Sequence, residues 1–181
     1  LQAQEFDASF SDNTLRLDYT FAGNAHEQYV ALGDMSKTPG WWGRRINLDS
    51  TPLKGNGDLT LTDAQTNRVI YKTSFSSLFQ EWITTPEAEA ITRSFEFTLL
   101  VPMPLKTTVA TLVLRDNTGK PSTHTFTINP SDVLIRDRAN EAALPYTYIH
   151  QGGDSKECID VVILAEGYTD DQMDIFMADA K

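Results

Sequence analysis

The stretch LRLDYTF, Leu15 to Phe21, decides the fold. Leu15, Leu17, Tyr19 and Phe21 point one way, while Arg16, Asp18 and Thr20 point the other. A period of two marks a β-strand with one dry and one wet face. The pattern recurs along the chain. Leu59 and Leu61 lead into Asp63-Ala64-Gln65-Thr66-Asn67 and then Arg68-Val69-Ile70-Tyr71, two strands joined by a polar turn. Ile91, Phe95, Phe97, Leu99 and Val101 form the longest alternating strand. Pro102 and Pro104 are expected to stop it, because proline has no N–H to give to a ladder. Val109 to Leu114 and His124 to Ile128 flank Arg115-Asp116-Asn117-Thr118-Gly119-Lys120, a second hairpin in which Asn and Gly are expected to supply positive φ angles. Before residue 165, helix signals reduce to one turn at Pro86-Glu87-Ala88-Glu89-Ala90. One-sided sheets must cover their apolar faces with one another. The expectation is a mainly β fold, an antiparallel β-sandwich over residues 1–136.

Composition bounds the function. The 181 residues are 40% hydrophobic and 22% charged, the balance of a globular chain that buries a core in one domain or slightly more. Lys and Arg number 15 against 25 Asp and Glu, a formal charge of −10 that repels phosphate backbones and excludes nucleic acid as a partner. No apolar run approaches the roughly 18 residues of a membrane-spanning helix, so no membrane span is expected. Leu1-Gln2-Ala3-Gln4-Glu5 resembles the mature side of a signal-peptide cleavage site, which predicts a secreted, periplasmic or cell-surface protein. Cys158 is the single cysteine, so it has no intramolecular disulfide partner and is expected to be a small buried hydrophobe.

After Arg136 the character changes. Residues 137–157 are polar and include Gly152-Gly153-Asp154-Ser155, the composition of an inter-domain linker. Val161-Val162-Ile163-Leu164 is apolar on both faces, as a strand covered on both sides of a parallel sheet must be. Thr169-Asp170-Asp171-Gln172 fits a capping box, and Met173, Phe176, Met177 and Ala180 follow at helical spacing. Residues 158–181 therefore read as the first βα unit of a second, α/β domain that the end of the chain cuts short. Its apolar strand needs cover, either by folding back on the sandwich or by pairing with a second copy as a homodimer.

The run Asp160-Val161-Val162-Ile163-Leu164-Ala165-Glu166-Gly167-Tyr168-Thr169, behind an all-β segment of this size, resembles the start of the catalytic domain in the bacterial immunoglobulin A peptidase family. These are zinc metallopeptidases, classed as metallopeptidase family sixty-four. The preceding segment is similar to that family's N-terminal accessory domain. The resemblance implies a secreted peptidase whose zinc is held by a His-Glu-x-x-His helix and a further downstream ligand, none of them in this chain. Zinc is thus implied for the missing catalytic domain and no cofactor for this one. The implied partners are the chain's own catalytic domain and a protein or glycan substrate. Glu166 and Tyr168 follow the C-terminal end of the expected strand, where α/β sites lie, and are candidate cleft-lining residues of the parent enzyme.

His26-Glu27-Gln28-Tyr29-Val30 begins like a zincin helix, but Val30 stands where the second histidine must be. His124 and His150 have no further ligand at a metal-binding spacing. Gly55-Asn56-Gly57-Asp58 reads as a turn, since no strand-to-helix transition follows it. Trp41-Trp42-Gly43-Arg44-Arg45 is the most unusual composition: on a strand one indole enters the core and the other lies outside, where it can stack on a sugar ring. Trp41, Trp42, Trp82 and Arg44 are therefore the candidate ligand or inter-domain contacts. No nucleophile, base and metal set assembles by spacing, so no catalytic residue is expected here. Two functions fit: a non-catalytic interaction domain of a secreted zinc peptidase, or a carbohydrate-binding sandwich using an exposed Trp.

Overall fold

A computed structural model describes residues 6–51, 53–142, 145–154 and 158–181. The Leu1–Glu5 start, and with Ser155 part of the expected linker, lie outside the described residues. The chain divides into two compact units, Leu1–Asn140 and Glu141–Lys181.

In the first unit β1 (Phe10–Gly23), β2 (Gln28–Pro39), β5 (Arg93–Pro104) and β8 (Ile135–Asp137) form one sheet in the order β5-β1-β2-β8. The other sheet, β4-β3-β6-β7, contains β3 (Gly57–Asp63), β4 (Val69–Phe75), β6 (Thr108–Arg115) and β7 (Pro121–Ile128). Pairing is antiparallel except for the short β2–β8 ladder. The fold is the expected mainly β sandwich. Leu15, Leu17, Tyr19 and Phe21 of β1 are all buried, with Leu59 and Leu61 of β3 and Leu112 and Leu114 of β6 in the same core. Aromatic pairs connect strands of the two sheets: Tyr19 with Phe126 at 5.5 Å and Phe21 with Phe75 at 6.1 Å between ring centroids.

Both expected hairpins form, each closed by an aspartate that caps its own turn. Asp63 accepts hydrogen bonds from the amides of Gln65 and Thr66 at 3.0 and 2.8 Å, and Asp116 from those of Thr118 and Lys120 at 2.9 Å each. Hydrogen bonds from Thr66 hold the Asp63 carboxyl below its ordinary range, and those from Thr118 do the same for Asp116. Positive φ is supplied by Asn67 in the first turn and by Gly119 in the second, with Asn117 outside that region.

The expected end of β5 needs correction. The strand begins at Arg93, after the exposed Ile91, and runs through both prolines, with Pro102 opposite Thr14 and Pro104 opposite Phe10. β5 lies at the end of its sheet, so a residue without an N–H is tolerated where its nitrogen faces away from β1. Between β4 and β5 the chain forms a five-residue helix, α1 (Leu78–Trp82), and then the expected turn at Pro86–Glu89.

In the second unit the helix half of the βα reading stands. Gln172 accepts the Thr169 N–H at 3.1 Å, and a 3-10 turn at Asp170–Gln172 runs into α2 (Met173–Asp179), whose Phe176 is buried. The strand half does not. No strand is assigned at Val161–Leu164, and Val161 and Leu164 are 79% and 76% exposed, so the expected cover on both faces is absent. A strand exists only as part of a ladder, and no described residue of this unit pairs with it. Cys158 is exposed, contrary to the expectation of burial, because it lies at the head of the same uncovered run.

Two stability measurements follow from the core. Every residue of the core cluster lies between Phe6 and Ile135, so removing residues 141–181 is expected to leave one cooperative unfolding transition at nearly the same temperature. The Tyr19 hydroxyl is buried without a hydrogen-bond partner, and burial pushes its pKa well above the ordinary value of 10.0. Tyr19→Phe is therefore expected to raise stability at neutral pH by about 1 kcal/mol, since an unpaired buried hydroxyl is removed. Unfolded tyrosine ionises near pH 10 while folded Tyr19 resists, so the wild-type chain loses stability as pH rises through and above that value. In urea titrations from pH 8 to 11, the Phe variant is expected to lack that part of the decline.

Candidate functional site

The Trp41–Arg45 segment leaves the end of β2 as irregular chain rather than as a strand, yet it divides its two indoles between core and solvent. Trp41 is 7% exposed and Trp42 is 77% exposed. Asp12 accepts the Trp41 amide at 3.0 Å and also pairs with Arg45, fixing the segment to β1. The Trp41 indole donates to the Arg44 carbonyl at 3.1 Å and meets Tyr71 edge-on at 6.1 Å. Its ring lies so close over Gly43 that an added Cβ would stand 2.2 Å from Cζ2, which requires glycine there. Arg44 donates to the carbonyls of Asn47 and Lys72 and lies over the Tyr71 ring at 5.2 Å. Its five donors serve as a brace for the loop after β2. Arg45 covers the Phe6 ring at 4.5 Å. Of this group, Trp42 presents its ring to solvent.

Trp82 lies apart from them, on α1. Its ring lies tilted against Phe95 at 5.6 Å and Phe79 at 6.3 Å, and its indole N–H donates to Glu87 at 2.8 Å. Arg93 completes the cluster by pairing with Glu87 at 2.6 Å. The Trp82 hydrogen bond, and after it Arg93, hold the Glu87 carboxyl below its ordinary range. Next to this cluster a groove of about 230 Å³ opens between α1 and β5, with Phe79, Phe95, Phe97 and Leu78 among its walls. It is smaller than the roughly 300–1,000 Å³ of pockets that enclose drug-sized ligands, and it suits a side chain or two. Alternation alone marks Phe95 and Phe97 as strand residues and does not show this groove, because its other wall comes from α1.

His26 and His124 make local contacts. His26 and Glu27 sit in the β1–β2 turn, where Asn24 accepts both their amides at 2.9 and 3.0 Å, and His26 meets Glu89 at 2.9 Å. His124 stands 2.7 Å from the Ser122 hydroxyl, and burial lowers its pKa. Among the described residues no group of three or more His, Cys, Asp or Glu is arranged to hold a metal ion.

In the second unit Glu166 is exposed at a turn, and Tyr168 packs on Phe176 at 5.3 Å while its hydroxyl donates to Asp179 at 2.9 Å. That hydrogen bond raises the Tyr168 pKa. Among the described residues, no helix is long and apolar enough to cross a membrane.

The two adjacent tryptophans are separable by experiment. Trp41→Ala is expected to cost about 3–5 kcal/mol, as for other buried aromatic truncations. Trp42→Ala is expected to change stability by no more than about 0.5 kcal/mol. Guanidinium unfolding of both variants checks the difference.

No curated protein matches the sequence. Residues 5–126 match the family model described as Peptidase M64 N-terminus. That span runs from the start of the sandwich into β7 and takes in more than half of the chain. The chain therefore belongs to this family, the N-terminal region of the immunoglobulin A peptidases that its sequence resembles.

Proposed function

We propose that this chain is the non-catalytic accessory domain of a secreted zinc metallopeptidase and that it works by protein contact, holding its own peptidase domain and its polypeptide substrate. The family match over residues 5–126 carries this reading, since it belongs to the N-terminal part of a peptidase family. Support comes from His26 and His124, which lie in contacts with Asn24, Glu89 and Ser122. Asp160–Thr169 and α2 are then the first elements of the peptidase domain, whose other strands provide cover for Val161–Leu164. Zinc belongs to that domain. Where it is missing, the exposed apolar run is expected to pair with a second copy, a homodimer detectable by light scattering.

A glycan-binding reading is favoured by one observation, the exposed ring of Trp42. The two readings separate in one set of titrations. A purified peptidase domain of this family is expected to bind the chain while soluble glycans leave its tryptophan fluorescence unchanged. Quenching by glycans that Trp42→Ala abolishes, without binding to the peptidase domain, would favour the glycan module. The dialysed chain is further expected to retain no stoichiometric zinc and to cleave no protein. One retained equivalent, with chelator-sensitive proteolysis, would sink the accessory reading.

A further inference from the structure

The prolines of β5 reveal which of its backbone groups are free. Along an antiparallel strand, alternate residues turn their N–H and C=O toward the same neighbour. The Leu105 amide donates to the Ser9 carbonyl at 2.9 Å, so odd-numbered residues face β1. Pro102 and Pro104, which have no N–H to give, fall on the other parity. Ser94, Glu96, Thr98 and Leu100 share that parity and turn their polar backbone atoms outward. No strand among the described residues pairs with this edge. The sheet's opposite end is guarded: β8 is short and carries Arg136 paired with Asp34 and Asp137 paired with Lys37. On β5 the prolines block one end and leave four residues' outward groups open.

Beside the open stretch lies the groove of Phe79, Phe95, Phe97 and Leu78, and Glu81 and Glu96 also line it. Both carboxylates are exposed and make no ion pair among the described residues, in a chain whose net charge is −10. An open ladder supplies affinity, an apolar pocket beside it takes an alternate side chain, and two free carboxylates select for positive charge. We propose that the outer edge of β5 from Ser94 to Leu100, with this groove, binds an extended, cationic stretch of a polypeptide substrate by strand addition. This deepens the accessory-domain reading above and rests on it for the identity of the occupant as substrate.

The probe is a capped nine-residue peptide of alternating Lys and Val, added to the full chain and followed by residue-resolved amide hydrogen exchange. Exchange at Ser94, Glu96, Thr98 and Leu100 is expected to slow at least tenfold. Phe95, Phe97 and Leu99, already bonded toward β1, should change little. Leu100→Pro puts a third proline on the outward parity, keeps the bonds to β1 and is expected to weaken binding about tenfold. Glu81→Gln with Glu96→Gln leaves the backbone untouched and is expected to weaken it about three- to tenfold, with a matching loss at high salt. A Glu-for-Lys version of the peptide should not bind. The proposal is overturned if the four outward amides exchange unchanged, if the acidic peptide protects them equally, or if they are already protected by a second copy in a concentration-dependent way. These measurements need no peptidase domain. A chain that binds its peptidase domain but fails them loses the strand-addition proposal alone, while peptide binding without any peptidase-domain contact counts against the accessory reading.

Discussion

Tyr19 against Phe126 and Phe21 against Phe75 close the gap between two sheets that cannot exist separately. Each sheet has one face of Leu, Ile, Val and aromatic side chains and one face of polar ones, and in water the first must be covered. β1 runs through the middle of this contact. It pairs with β2 on one side and β5 on the other while its inward side chains fill the core. A fully buried Leu or Phe contributes about 1.5–3 kcal/mol, so this one strand accounts for a large part of what opposes chain entropy. The Trp41 loop extends the same core: its indole reaches Tyr71 of β4, and Arg44 ties the loop to the Lys72 carbonyl of that strand.

How much of this could be read in advance depended on whether a strand kept its register. Leu15–Phe21 of β1, β3 and both strands of the second hairpin hold their alternation, so their faces were legible, whereas a register shift in β4 buries the adjacent Ile70 and Tyr71. β2 was not, because Asp18 opposes both Gly33 and Asp34: Leu17 pairs with Met35 and Tyr19 with Leu32. That bulge moves the inward positions from Val30 and Leu32 to Met35, and a sequence that changes phase in mid-strand shows no period. α1 is too short for a helical period and depends on Ser77, whose hydroxyl accepts the Gln80 amide, and on Gln80, whose side chain donates to the Asn56 carbonyl. The Ser77–Gln80 contact spans three positions, but the Asn56 partner lies 24 positions away and is visible only in three dimensions.

The candidate site was legible in the same partial way. One indole in and one out was the expectation for Trp41 and Trp42, and that division is present, although a loop fixed by Asp12 produces it rather than strand alternation. The bracing by Arg44 was hidden, since its acceptors at Asn47 and Lys72 lie on different elements. The prolines of β5 were noticed but assigned the wrong consequence. A missing N–H ends a central strand and merely marks an outer one, and only the strand order distinguishes the two cases.

The second unit separates local from distant causes within a few residues. The turn into α2 is specified by neighbours: Gln172 reaches back to the Thr169 amide, and Tyr168 packs on Phe176 eight positions later. These contacts close loops so short that they form without help from elsewhere. Val161 to Leu164 has the opposite requirement, since each of its backbone groups needs a partner strand and both its faces need apolar cover. Sequence composition records that requirement but cannot meet it. Helix and cap are therefore in place while the neighbouring apolar run remains exposed, and the same four residues become a strand only where another element offers a ladder.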